Sequence, residues 1–283
     1  MHTEGYLTTS QAPRLYWQGW RCGPQQAAPS AAQPLLIIHG IGEHSGRYEQ
    51  TARQFVQAGY VVYAYDLRGH GKSPGVRGHI DQFEDYVSDA AAFVRFVSEH
   101  HAMMPPILLG HSLGGLIAAH YAAQHAQAIR ALILSSPFWG FGMRVPQWKH
   151  GLAYALSSVW PSLTMKRPRH HGIALSHDPQ VIAAWERDPL VHRVASARCY
   201  VEIRRAAQAL PSVLPRLRVP TLALQAGEDL IGSADAVTQF FPLIGSAQKQ
   251  LIIYDGFYHE VLNEVDRARV IQDLLAWLRP QPR

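Results

Sequence analysis

The chain is poor in cysteine. Cys22 and Cys199 are the only two in 283 residues, far apart and without metal-type spacing. No disulfide framework is implied, and a reducing, cytoplasmic setting fits. No apolar run is long enough to span a bilayer. Met1-His2-Thr3-Glu4-Gly5 lacks the basic stretch and following apolar run of a secretory signal. Neither sign of charge dominates: 26 Lys and Arg against 21 Asp and Glu leave +5, with the basic residues dispersed. The densest cluster, Lys166-Arg167-Pro168-Arg169-His170-His171, reads first as a solvated loop and second as an attractor for an anionic lipid surface or an acidic substrate. No aromatic platform interleaves with basic residues, so no nucleic-acid partner is expected. Internal repeats and low-complexity tracts are absent too.

What is present is a globular composition, 47% hydrophobic and 17% charged, long enough for one large α/β domain or a core with an insertion. Thr3–Thr8 and Arg14–Trp20 read as an opening antiparallel hairpin. Short continuous apolar runs at 35–39, 60–66, 107–110, 131–135, 221–225 and 251–254 are the mark of strands buried on both faces of a parallel sheet. Helical patterns lie between them. The clearest is Phe83–His100, with Phe83, Tyr86, Val87, Ala90, Val94 and Val97 on one side. Glu49–Ala58 and Asp266–Leu278 are the others named by spacing, and a further helix follows Ser112. This alternation predicts a doubly wound α/β sheet. It fails between about Phe138 and Leu217, where no strand run stands out. The expected organisation is therefore a core over 1–137, a helical cap over 138–217 and the rest of the core over 218–283. Trp139, Trp148, Trp160 and Trp185 fall in the cap; packing is the first reading for each and pocket lining the second.

Gly110-His111-Ser112-Leu113-Gly114 carries the chemistry. A G-x-S-x-G between a short apolar strand and a helix is the pattern of a nucleophile elbow. The turn is tight enough to demand glycine beside the serine. The serine then sits at a helix N-terminus, where backbone N–H groups favour negative charge on a substrate. A serine hydroxyl needs a base, and the base a carboxylate to orient it. In this topology the acid follows the seventh strand and the histidine follows the last. Those loops hold Asp229, preferred over Glu228 and Asp235, and His259. Two backbone donors are needed for an oxyanion. The N–H of Leu113 is one. The loop His39-Gly40-Ile41-Gly42 supplies the other, with Ile41 as donor.

Several stretches together resemble the monoacylglycerol lipase family, of the wider serine aminopeptidase S33 type of α/β-hydrolases that includes lysophospholipases and some peptidases. They are His39–Tyr48, Asp66–Ser73, Arg77–Ile80, Gly110–Gly115, Ser176–Pro179 with Asp188–Val191, and Tyr258–Glu264. The likeness covers nearly the whole chain. It implies a mostly parallel eight-stranded α/β-hydrolase sheet with an inserted helical cap, no cofactor and no metal. It implies hydrolysis of a single-chain acyl ester, a small-molecule lipid substrate, by Ser112, His259 and Asp229. It also implies that Glu43 and Arg47 shape the end of the site that meets the glycerol head, with His111 beside them; the alternative for Glu43 and Arg47 is an ion pair that orders the loop. Members of the family often carry a second acid soon after the aspartate, where this chain has Leu230-Ile231-Gly232-Ser233. Open alternatives are a lysophospholipase or general carboxylesterase, a peptidase with an acidic amine pocket, and a non-catalytic binding protein on the same fold. A cytoplasmic protein, peripheral to membrane through transient contact by the cap, is consistent with this reading.

Overall fold

The apolar runs Pro34–Ile38, Ile107–His111, Ala131–Ser135 and Thr221–Ala226 form strands covered on both faces. His2–Leu7 and Lys249–Tyr254, at the two edges of the sheet, are partly exposed, the latter against the expectation for its run. The computed structural model describes residues 1–8, 14–23, 32–166 and 175–279. Most of the basic cluster, from Arg167 to His171, lies outside them. Eight strands form the main sheet: β1 (His2–Leu7), β2 (Leu15–Trp20), β3 (Pro34–Ile38), β4 (Val61–Tyr65), β5 (Ile107–His111), β6 (Ala131–Ser135), β9 (Thr221–Ala226) and β10 (Lys249–Tyr254). Their order is β1-β2-β4-β3-β5-β6-β9-β10. The pairs β1–β2 and β2–β4 are antiparallel and every other pair is parallel. This is the α/β-hydrolase sheet that the alternation and the resemblance predict.

Alternation within each strand divides the core in two. Leu35 and Ile37 of β3, with Ile107 and Leu109 of β5, meet helices α1 (Glu49–Gln57) and α8 (Arg267–Leu278) on one face. Leu36, Ile38 and Leu108 point the other way, toward α2 (Phe83–His100), α3 (Leu113–Gln124) and α6 (Ala197–Val213). The apolar stripe expected on α2 is buried throughout, from Phe83 to Val97. Helix α3 is buried from Leu113 to Ala122. It is apolar all round, as a helix covered on every side must be.

The segment 138–217 holds α4 (Gln147–Val159), α5 (Pro179–Arg187) and α6, and it differs from the sequence expectation in one respect. It contains a two-stranded antiparallel ladder, β7 (Thr164–Lys166) with β8 (Val194–Ser196). Three residues per strand are too few for an alternation pattern to stand out. Helix α6 also buries Cys199, Ile203, Ala206 and Leu210 in the same core as α2 and α3. Helix α7 (Ala234–Phe240) follows β9. Among the described residues, no helix is long and apolar enough to cross a membrane.

Candidate active site

The carboxyl ends of β3, β5, β9 and β10 lead into four loops at one edge of the sheet, the edge where open α/β sheets bind ligands. Strand β5 turns directly into α3 at Ser112, whose backbone has φ 52° and ψ −116°. That left-handed conformation is rare for a residue with a side chain and stores strain of about 1–3 kcal/mol. The neighbours explain why glycine surrounds it. A Cβ on Gly110 would lie 2.3 Å from the Gly114 carbonyl oxygen, and one on Gly114 would lie 2.1 Å from that of Ile38. The elbow presses against β3, and no side chain fits between them.

Three distant residues meet there. His259 Nδ1 donates to Asp229 Oδ2 at 2.8 Å, and Ser112 Oγ donates to His259 Nε2 at 2.9 Å. All three side chains are buried. Asp229 is held from the other side as well. Its Oδ1 accepts from the backbone N–H of Ile231 at 2.9 Å and of Gly232 at 2.8 Å, and its Oδ2 from Gln225 Nε2 at 3.2 Å. The backbone of Ile231 and Gly232 thus supports the carboxylate where the family pattern often has a second acid. Glu228 and Asp235 are exposed. Burial pushes the Asp229 carboxyl up, but the charge and hydrogen bond of His259 and the two N–H groups outweigh it and hold it below the usual range. Burial likewise pushes His259 down, and Asp229 more than reverses this, leaving the imidazole more basic than usual. A base with a raised pKa beside a serine is matched to taking its proton.

A cavity open to solvent lies above Ser112. Its lining includes Ile41, Glu43, Arg47, His111, His259 and Glu260, together with Leu175, Trp185 and Ile231. Of the cap tryptophans, Trp185 of α5 lines this cavity and Trp139 is buried in the core. Trp148 and Trp160 are 65% and 60% exposed, neither packed inside nor lining the pocket. Leu113 is the first residue of α3, so its N–H has no intrahelical partner. The N–H of Gly40 donates to Glu43 Oε1 at 2.6 Å, and Ile41, one residue further on, lines the cavity.

Glu43 and Arg47 also reach the wall, but with their polar atoms engaged. Glu43 accepts from Gly40 N–H, from Tyr48 Oη at 2.8 Å and from Arg47 Nη1 at 2.7 Å. Arg47 spans onward to Glu260, donating from Nη1 at 2.6 Å and Nη2 at 2.8 Å. Burial first, and the nearby His259 second, push the His111 imidazole down. Its Nδ1 donates to the Ser135 carbonyl at 3.1 Å, and its ring lies 4.9 Å from that of His259. Sequence reasoning overlooked Gln225 and Glu260. A charged residue directly after the histidine, in a loop that must be buried, was the available signal for Glu260; nothing in the pattern marked Gln225. Among the described residues, no cluster of His, Cys, Asp and Glu is arranged to hold a metal ion.

The sequence profile of the serine aminopeptidase S33 family matches residues 29–266. The chain belongs to that family of hydrolases. Within it, the chain is 32% identical to a monoacylglycerol lipase of Mycolicibacterium smegmatis, covering 86% of this chain and 87% of the relative. It is 32% identical to phospholipase YtpA of Bacillus subtilis, covering 84% and 92%. The crystal structure of Paleococcus ferrophilus monoacylglycerol lipase superposes with a TM-score of 0.83 at 28% identity, over 93% of this chain and 98% of that one. Monoacylglycerol lipase-like S33 hydrolases are thus its relatives in both sequence and fold.

Proposed function

We propose that this S33 hydrolase cleaves the ester bond of monoacylglycerols, releasing glycerol and a fatty acid through an acyl-enzyme. The observation that carries the reading is the unbroken chain from Ser112 Oγ to His259 to Asp229 at a strained elbow beneath a cavity. Ser112 Oγ attacks the ester carbonyl carbon as His259 Nε2 takes its proton. The N–H groups of Ile41 and Leu113 hold the tetrahedral oxyanion; losing one such donor typically costs about 3 kcal/mol of transition-state stabilisation. His259 returns the proton to the departing glycerol oxygen, and water repeats the sequence on the acyl-enzyme. Residues 1–137 and 218–283 act as the core and 138–217 as the cap. Glu43, Arg47 and His111 shape the wall facing the head group, while Leu175, Trp185 and Ile231 meet the acyl chain. Each buried methylene is worth about 0.8 kcal/mol, so cavity depth sets chain preference.

The test is a panel of esters with one acyl chain and varied heads. Turnover of monoacylglycerol well above that of the matching lysophospholipid supports the reading; the reverse order makes the protein a lysophospholipase. Failure of the wild-type protein to react with a serine-directed fluorophosphonate would make it a binding protein on this fold.

The cap also offers a route to a lipid surface. Trp148, Leu152 and Val159 of α4, with the neighbouring Trp160, expose their side chains together. No Asp or Glu occurs between Glu99 and Asp178, whereas Arg144, Lys149 and Lys166 lie within that stretch. An apolar stripe among cations, without acids, suits an anionic membrane surface. Replacing Trp148, Leu152 and Val159 by serine is expected to abolish cosedimentation with phosphatidylglycerol vesicles while leaving turnover of a short, water-soluble ester unchanged. Undiminished vesicle binding by the triple variant would remove the cap from membrane contact.

A further inference from the structure

We infer that the buried chain Glu43–Arg47–Glu260 is a positioning device that locks the oxyanion loop to the histidine loop and places one surplus negative charge beside His259. This rests on the proposed esterase reading. Glu43 and Arg47 belong to the loop after β3, and Glu260 to the loop after β10 that carries His259. Arg47 grips Glu260 with two hydrogen bonds and Glu43 with one. Glu43 in turn fixes the Gly40 N–H, one residue before the Ile41 donor. Glu260 is steadied by Asn263 Nδ2 at 2.8 Å, and its own N–H donates to the Leu175 carbonyl of the cap at 2.8 Å. One guanidinium therefore sets the spacing between the group that stabilises the oxyanion and the group that moves the proton. A fully connected buried network of this kind has little freedom to drift.

The charge count gives the device a second effect. Two carboxylates share one guanidinium, so the cluster is net negative, and all three side chains are largely buried. The charged or titratable groups facing His259 are Asp229 from the loop after β9, His111 at the end of β5, Glu43 and Arg47 from the loop after β3, and Glu260. From the cap come Leu175 and Trp185, which carry no charge. Glu260 and Glu43 both favour the imidazolium that forms as Ser112 loses its proton. A network built only for stability would be complete as one neutral pair. The second acid, beside the base, is what a charged intermediate needs.

The experiment follows the pH dependence of the rate at which an alkyl fluorophosphonate labels Ser112. Its oxygen bonds to phosphorus, fluoride departs, and His259 takes the proton, so no choice of ester enters. In Glu260→Gln the acid limb is expected to move down by about half a pH unit or more, because the imidazolium loses a stabilising charge. The plateau is expected to fall about tenfold as the two loops lose their tie. Glu260→Asp keeps the charge but shortens the reach; its limb stays in place while its plateau falls. A Gln variant with the wild-type limb overturns the inference. Should the Gln variant not fold, the Asp variant decides alone, since a wild-type profile there overturns the positioning role. A wild-type protein that does not label at all would instead sink the esterase reading, a distinct outcome.

Discussion

Ser112→Ala is expected to abolish ester hydrolysis with the fold intact. The two halves of that expectation have different causes. Serine contributes one oxygen to the reaction, and nothing near it can take its place. The nearest polar groups on the cavity wall are His259 and His111, and Glu43 and Glu260, whose carboxylates Arg47 engages. Removing a serine nucleophile of this kind lowers kcat by about a million-fold, with binding and the oxyanion donors sustaining the remainder. Stability responds far less. Alanine occupies the same strained backbone as serine at this position, so no new conformational penalty arises. The loss is one hydrogen bond to His259 Nε2, worth about 1 kcal/mol, and the freed nitrogen faces a cavity that water can reach. Turnover of monoacylglycerol, measured beside thermal unfolding of both proteins, separates the two effects. An alanine variant within tenfold of wild-type turnover would take Ser112 out of the mechanism.

The chemistry was easier to read from the sequence than its supports. Ser112 and Asp229 follow strands buried along their whole length, and His259 follows the run Leu251–Tyr254 of a partly exposed strand; each strand announces itself by a short apolar run. Once the strands are placed, their carboxyl ends must share an edge, and the three residues converge without further information. Glu260 did not yield to that logic. Its partner Arg47 lies 213 positions away, and no periodicity links a loop after β3 to one after β10. Gln225 sits at the end of an apolar strand, where a polar residue looks like the strand's boundary; it is in fact turned inward to the carboxylate of Asp229. The tryptophans of the cap show a different limit. Four large aromatics in one segment read alike, yet Trp139 packs in the core, Trp185 lines the cavity and Trp148 and Trp160 face outward. Which of these a tryptophan does depends on the crossing of α4 and α5 with the core, and a loop-rich segment does not encode that crossing locally. The ladder of β7 and β8 was hidden because three residues per strand are too few to show an alternation.

Arg47→Met is expected to be among the most destabilising single changes in the molecule. Methionine keeps most of the volume of the side chain and removes only the charge and its hydrogen bonds. Two carboxylates, Glu43 and Glu260, would then share a buried space with no cation between them. Breaking a buried ion pair on one side typically costs about 3–5 kcal/mol, because the remaining charge is stranded. The pH dependence identifies the cause. In the wild-type protein burial pushes the Glu43 carboxyl up, but Arg47 foremost and the Gly40 N–H outweigh it, and the group is held well below the usual carboxylate range. A depressed folded pKa contributes stability above the unfolded value, near 4.3, and that contribution is lost as pH falls toward the folded value. In the methionine variant the sign reverses: the stranded carboxyl gains protons more readily folded than unfolded, so acidification relieves it. The gap in unfolding free energy between the two proteins is therefore expected to be widest near pH 7 and to narrow steadily below about pH 5. Urea unfolding of both proteins across that range measures it. A gap that stays constant with pH would show that methionine harms packing rather than charge balance. The electrostatic account of the link between the two loops would then fail.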